Sequence, residues 1–423
     1  MANGGNRAAG TPGHDRSADY VADRLRAVGY KVRTEEFTFP FFEERAPPIV
    51  AAGPPAGGLT PLGSGAIRTL ANSGSGEVTA ELRPVDLGLA EGGSPSPSTS
   101  GCEASDFEQF APGAVALVRR GTCPFQVKVE NAAAAGAAGV IIMNEGTNDR
   151  TGIFAGRLTR QASIPVVGIA YEAGRSLASA ASNEGASVRL IVDVLTGTRS
   201  TRNVVTDTEG DPARTIVAGA HLDSVPEGPG INDNASGSAA VLEAALRLAE
   251  LPAGAGPRVR FAFWGAEEQG LIGSRHHVGT LSEEERRAIV LYINLDMVGS
   301  SNFGRFVQGA EEPPETIAGM ARRALISYFR ERNLSVEERV SVRRRGFGSD
   351  DGSFVQKGIP TIGLYTGAGE TKGEAQAALF GGISGRPFDP CYHKSCDTAE
   401  NIDRSVLEQM TGALAHALTV VGR

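Results

Sequence analysis

Hydrophobic positions along the chain repeat with two spacings, and the alternation between them outlines a fold. Ala18, Val21, Ala22, Leu25 and Val28 recur at helical intervals, and Gly29 stands where a helix stops. Residues 31–39 then alternate as a strand does. From 45 to 100 the chain is rich in Gly, Pro, Ser and Ala, with short strand candidates and no long helix. The pattern next predicts a buried strand at 114–118, an Ala-rich helix at 127–138, strands at 140–143 and 164–169, and a helix at 171–182. This middle block holds no group of His, Asp and Glu suited to catalysis, so it reads as a non-catalytic insertion.

Beyond residue 200 the pattern changes. Apolar strands at 215–220, 258–264, 289–295 and 359–365 alternate with helices, among them 238–249 and a closing helix at 405–420. A further helix starts at Ser282, with Glu285 three residues on as a capping box. Strands alternating with helices imply a mostly parallel sheet covered on both faces. Ligands of such sheets bind beyond the carboxyl ends of the strands. The expected fold is α/β, a mostly parallel central sheet flanked by helices, carrying an inserted β-rich α+β module. Its expected limits are 1–42 and 196–423 for the α/β part and 43–195 for the insertion.

Composition adds exclusions. A chain of 423 residues has room for two or three domains, and 41% hydrophobic with 21% charged residues is ordinary for a soluble protein. A net charge of −8 argues against nucleic acid as partner, since phosphate binding needs clustered cations. The one basic run, Arg343-Arg344-Arg345, reads as a solvated loop. No apolar stretch nears the roughly 20 residues that span a membrane. Met1 leads into Ala-Asn-Gly-Gly-Asn rather than a signal peptide. The four cysteines form two local pairs, Cys102 with Cys123 and Cys391 with Cys396, which suggests disulfides and an oxidising compartment; four free buried thiols are the alternative. The expectation is a secreted monomer presented without its leader.

Metal-competent side chains gather in a few segments, three of them directly after strands. His221 ends the 215–220 strand, and Asp223 two residues on is placed to orient its ring; a surface His–Asp pair is the bland alternative. Asp233 stands among small residues in Gly230-Ile231-Asn232-Asp233-Asn234-Ala235-Ser236-Gly237, either as a helix cap or as a carboxylate bridging two metal ions. Glu267 and Glu268 follow Trp264, adjacent carboxylates able to divide the tasks of metal ligand and general base; the alternative is a solvated acidic turn. Asp296 ends an apolar strand, where an unpaired carboxylate is costly and a metal ion or a basic side chain is required. His393 lies between Cys391 and Cys396, with Tyr392 placed to stabilise an oxyanion. Two His, two Asp and one Glu, with Asp233 shared, give each of two metals three ligands and open positions for water and substrate. His14, His276, His277 and His416 receive structural readings.

At these residues the chain resembles the secreted double-zinc aminopeptidase family, of the bacterial aminopeptidase S and fungal aminopeptidase Y type. The segments AHLDSV, GPGINDNASGSAA, FWGAEEQGLIGS, NLDMVGS, LYTGAG and CYHKSCDT stand in order, and the resemblance spans 3–39 and nearly all of 203–423. It implies a zinc exopeptidase fold with two zinc ions held by His221, Asp233, Glu268, Asp296 and His393. Glu267 would be the base and Tyr392 would hold the tetrahedral intermediate. The substrate would be a peptide amino end, with a preference for Leu, Met or Phe. The middle block resembles a protease-associated domain through 102–107, 115–121, Cys123, Phe125 and 135–140. One departure stands out. Where relatives read Ser-Asp-His, this chain has Ser349-Asp350-Asp351, and Gly348 replaces an Arg that helps hold intermediates. Arg345 is the expected substitute, with Tyr392 carrying more of the task. The rival readings are a same-fold carboxypeptidase, a glutaminyl cyclase, and a non-catalytic receptor-like protein.

Overall fold

The structure, a computed structural model, describes residues 5–89, 98–147, 150–183, 185–251, 256–310, 312–340 and 348–422. The Arg343–Arg345 run, and with it the expected role of Arg345, lies outside the described residues. The chain divides into two compact units, 1–39 with 199–423, and 40–198.

The first unit is built on a mixed, mostly parallel sheet. Its strands are β1 (Ser187–Asp207, whose last residues belong here), β2 (Asp211–His221), β3 (Pro257–Trp264), β4 (Ile289–Leu295), β5 (Phe306–Gly309), β6 (Glu337–Val340) and β7 (Thr361–Tyr365). They lie in the order β6-β5-β7-β4-β2-β3-β1. β3, β2, β4 and β7 run parallel, with Phe263 beside Ala220 and Asn294 beside Gly219. β1 closes one side antiparallel to β3, and β5 pairs antiparallel with β7.

Both faces of the sheet are covered, so the central strands are mostly apolar and their side chains sort by parity. Ile216, Ala218, Ala220, Phe261, Phe263, Leu291, Ile293 and Leu295 face one core. There they meet α1 (Pro12–Ala27), α2 (Gly237–Ala249), α4 (Ile317–Glu331) and α5 (Arg404–Val421). Val217, Ala262, Trp264 and Tyr292 point the other way, toward Val278 of α3 (Ile272–Thr280) and toward Phe354. Phe261, Phe263 and Trp264 are fully buried. Each such side chain is worth about 1.5–3 kcal/mol of burial, so the parity of these strands is firmly set.

The second unit has its own sheet, in which Gly76–Pro84, Val115–Arg119, Gly139–Met143 and Val166–Ile169 pair in parallel, each with the next. Ile67–Thr69 and the first residues of β1 flank it antiparallel. Helices Phe125–Ala134 and Tyr171–Asn183 accompany the sheet, and the Cys102–Cys123 disulfide closes a 21-residue loop. Among the described residues no helix is long and apolar enough to cross a membrane.

Candidate metal centre

Three of the central parallel strands end beside one another, and the chemistry sits where they end. His221 is the last residue of β2, Asp296 directly follows β4, and Glu267 and Glu268 come just after β3. Asp233 arrives on the loop before α2, and His393 on the loop closed by the Cys391–Cys396 disulfide. Ala266, Met297 and His393 all hold a left-handed backbone, with φ of 58°, 50° and 56°. Side-chain-bearing residues adopt that region sparingly, and it is found where a site dictates direction.

The donors divide about Asp233. His221 Nε2 lies 3.3 Å from Asp233 Oδ1 and 3.3 Å from Asp296 Oδ1. His393 Nε2 lies 3.0 Å from Asp233 Oδ2 and 3.2 Å from Glu268 Oε2. One carboxylate thus offers one oxygen to each of two donor triads, His221–Asp233–Asp296 and Asp233–Glu268–His393. Glu267 stands beside both: with His221 and Glu268 it forms a third close group.

Electrostatics set the character of the cluster. Among the described residues no Lys or Arg forms an ion pair with Asp233, Glu267, Glu268 or Asp296, and the buried Glu268 Oε1 has no hydrogen-bond partner. Burial, then Asp233, pushes Glu268 up to about 7, and burial also pushes Glu267 well above the carboxylate range. Burial would lower His393, but its hydrogen bonds to Asp233 and Glu268 raise it to about 10. His221 is likewise raised against the effect of burial, chiefly by Asp296 and Glu267. Asp233 is held low, burial being outweighed by the two imidazoles. A site that draws protons this strongly draws divalent cations for the same reason. Imidazole nitrogens and carboxylate oxygens in sets of three are the donors zinc takes in open, catalytic sites.

A second layer holds these donors in place. Asp223, read from the sequence as the residue that orients His221, has further partners. Its carboxylate accepts the backbone N–H groups of Glu267 (3.0 Å) and Glu268 (3.3 Å), and lies 3.7 Å from His221 Nδ1. The nearer partner of that ring nitrogen is the Asp223 carbonyl oxygen, at 3.2 Å. Asp223 therefore fixes the Glu267–Glu268 turn, whose N–H groups face inward just past the strand, and orients the imidazole through its backbone. The Asp233 loop is clamped by Asp397, which accepts the N–H groups of Asn232 at 2.8 Å and Asp233 at 3.0 Å. Asn232 donates to Asp389 (2.6 Å), and Asn234 ties the loop to Leu295 (2.9 Å), next to Asp296. Arg7, fully buried, donates to the carbonyls of Leu222, Pro229 and Gly230 below the cluster. Arg7, Asp389 and Asp397 are absent from the sequence reading of the site. Asp397 had a signal, standing within the quoted CYHKSCDT segment; Arg7 had none.

Tyr392 stacks on His393, ring centres 3.9 Å apart, and lines the cavity over the cluster. Gly348 lines it too, at φ +96°, a conformation that an Arg would adopt only under strain. Asp350 is fully buried, and burial foremost raises its carboxyl to about 7; Asp351 Oδ1 accepts the Ser349 N–H at 3.3 Å. His14, His277 and His416 lie away from the cluster, His277 bonded to Glu35 at 2.9 Å. His276 stacks on Phe37.

Residues 203–418 match the model of peptidase family M28, and residues 78–177 match that of the PA domain. An aminopeptidase of Pseudomonas aeruginosa is 44% identical over 426 residues, covering 98% of this chain and 76% of that protein. The chain belongs to peptidase family M28. The family resemblance read from the motifs, the inserted PA domain and the exopeptidase-type sheet are thereby established. Among solved structures, the aminopeptidase from Aneurinibacillus sp. strain AM-1 superposes with a TM-score of 0.75 at 25% identity, covering 100% of this M28 chain and 91% of that one. BSAP, a zinc aminopeptidase from Bacillus subtilis, gives 0.64 at 25% identity, covering 99% and 91%.

Proposed function

We propose that this M28 peptidase is a two-zinc aminopeptidase, releasing one residue at a time from the free amino end of peptides. The observation that carries this reading is the division of the Asp233 oxygens between two triads, each with one imidazole and one further carboxylate. His221 with Asp296, and His393 with Glu268, would each hold one ion, Asp233 serving both. Bound zinc supplies Lewis acidity toward the scissile carbonyl and lowers the pKa of water.

The protein's own groups then move protons and place the substrate. Glu267 takes a proton from the attacking water and returns it to the leaving amine; burial raises its carboxyl, which suits a group that must both accept and release. Its backbone is fixed by Asp223, so the side chain swings from a rigid base. Tyr392 is raised above its usual range by burial, stays protonated at neutral pH, and can donate to the developing oxyanion. The peptide's ammonium group is attracted by the cluster's carboxylates, which selects chain ends. A large first residue, expected from the family resemblance, finds Met297 and the Tyr392 ring in the cavity wall. Two disulfides and the absence of a membrane-crossing helix among the described residues support a secreted enzyme.

The test is hydrolysis of free-amino and acetylated aminoacyl-anilides side by side, with and without chelator, followed by added zinc. Cleavage of the free-amino series alone, lost to chelator and restored by zinc, is the expected result. Equal cleavage of the acetylated series would refute it, and ammonia release from amino-terminal Gln without chain cleavage would indicate a cyclase.

A further inference from the structure

The turn that carries Glu267 and Glu268 occupies residues 265–271, between β3 and α3. Its path is an unfavourable one, since Ala266 and Leu271 both hold a left-handed backbone, with φ of 58° and 60°. The ladders of β3 end at Phe263 on one side and at Trp264 on the other. The buried Gly265 N–H lies beyond both and needs another acceptor.

Asn203, fully buried near the end of β1, supplies it. Its Oδ1 accepts the Gly265 N–H at 3.0 Å, and its Nδ2 donates to the Gly273 carbonyl at 2.9 Å. A single side-chain amide thus joins the start of the turn to the first residues of α3. The neck so formed is tight: a Cβ at Gly273 would collide with the Gly265 carbonyl and with Asn203 Oδ1. Asp223 grips the same turn at the N–H groups of Glu267 and Glu268, so the turn is held at its neck and at its tip.

The amide must face one way for this to work, and a chain of hydrogen bonds decides which. Asp207 accepts from Arg260 at 2.7 and 3.0 Å, and Arg260 Nη1 lies 3.3 Å from His277 Nε2. A guanidinium only donates, so Nε2 is the acceptor and Nδ1 carries the ring hydrogen. That hydrogen points to Glu35 Oε1, at 2.9 Å. The Glu35 carboxylate only accepts, and Asn203 Nδ2 lies 3.1 Å from its Oε2. The amide nitrogen is therefore turned toward Glu35 and Gly273, and the oxygen toward Gly265.

We infer that Asn203 is a positioning residue for Glu267, its side chain clasping the neck of the turn on which the base stands. The inference rests on the aminopeptidase reading, in which Glu267 moves the proton of the attacking water. Opening the neck leaves the carboxyl group in the site but lets it stray from the reacting atoms. A misplacement of about 1 Å lowers turnover by about 100-fold.

The experiment measures kcat and KM for leucyl-p-nitroanilide at pH 7 under saturating zinc, with bound zinc counted per folded molecule. Asn203→Ala is expected to lower kcat by about 100-fold while KM changes by less than about threefold, because the loss falls on the reacting geometry. Asn203→Asp keeps the acceptor for Gly265 but sets a carboxylate against Glu35, and is expected to lose turnover likewise. Adding Glu35→Gln exchanges amide and carboxylate between the two positions, and is expected to restore kcat by about tenfold over Asn203→Asp. That rescue is readable even where Asn203→Ala does not fold. A variant that melts earlier but keeps its kcat per zinc-loaded molecule would reduce Asn203 to a structural bond and overturn the inference. A double variant no faster than Asn203→Asp would overturn it too. Absence of hydrolysis by the unaltered protein would instead bring down the aminopeptidase reading.

Discussion

Replacing Asp397 by Ala tests whether the metal centre is held from outside its own ligands. The Asp397 carboxylate receives the N–H groups of Asn232 and Asp233 at 2.8 and 3.0 Å, and the Asn401 amide at 3.2 Å. All four residues are buried. Without the carboxylate, two backbone donors lose their acceptor in the interior, each at about 1–3 kcal/mol, or about 2–6 kcal/mol together. At about 2–4 °C per kcal/mol for a unit of this size, the melting temperature is expected to fall by about 5–20 °C. Asp233 is the donor common to both triads, so on the two-zinc reading its release also weakens metal binding; loss of an outer partner of this kind typically lowers affinity by about 10–100-fold. Asp397→Asn retains one acceptor oxygen and is expected to fall between the two. Calorimetric melting and zinc titration against a competing chelator read the two effects separately. A variant whose melting and zinc affinity both match the parent would show that the loop holds itself, and the clamp argument would be wrong.

Glu267→Gln is expected to lower kcat by about 10²–10⁴-fold with zinc content and melting unchanged, read by steady-state kinetics and elemental analysis; retention of most activity would remove Glu267 from the proton path. Chelation is expected to lower the melting temperature as well as activity, because metal binds the folded cluster and stabilises it in proportion to its saturation; identical melts with and without chelator would contradict this. Replacing Cys391 and Cys396 together by Ser is expected to reduce kcat/KM far more than the melting temperature, since the bridge spans only five residues and its loop carries Tyr392 and His393. Acid stability offers a test remote from the cluster: burial pushes Glu35 up, but hydrogen bonds from His277 and Asn203 hold it below its ordinary 4.5. Its ionised form therefore adds stability above about pH 4.5 that is lost as pH falls through the lower folded value. Denaturant midpoints for Glu35→Gln between pH 3 and 6 are expected to show a flatter acid limb than the parent.

What could be read from the sequence follows from where local pattern and tertiary need coincide. The strands at 215–220, 258–264 and 289–295 are apolar on both faces because both faces are covered, so they announce themselves as runs. His221, Glu267, Glu268 and Asp296 stand out because each interrupts or follows such a run with a group that burial would otherwise forbid. β1 was not foreseen. It extends from Ser187 to Asp207, but exposed Leu195, Gly197 and Thr198 interrupt its alternation, and its two ends pair with different strands. The helix α4 went unread as well, although Ala318, Ala321, Leu325 and Phe329 share its buried face.

The candidate metal donors are legible and their supports are not, and one physical difference accounts for it. A ligand must be a particular residue type at a strand end or in a tight loop, so it leaves a local mark. Its support needs only a hydrogen-bond partner, and the partner's place in sequence is arbitrary. Asp397 holds an N–H 164 positions away, and Arg7 caps carbonyls more than 200 positions away. Asp223 shows the same divide from the other side. Its place in sequence points to the His221 imidazole, whose Nδ1 lies 3.7 Å from the carboxylate, but says nothing of the N–H groups it also accepts from 44 and 45 residues further on. Buried backbone N–H groups need acceptors, and a carboxylate has sites for several donors at once. Spacing along the chain cannot announce those added partners; only the turn that carries Glu267 and Glu268, once placed beside Asp223, brings them there.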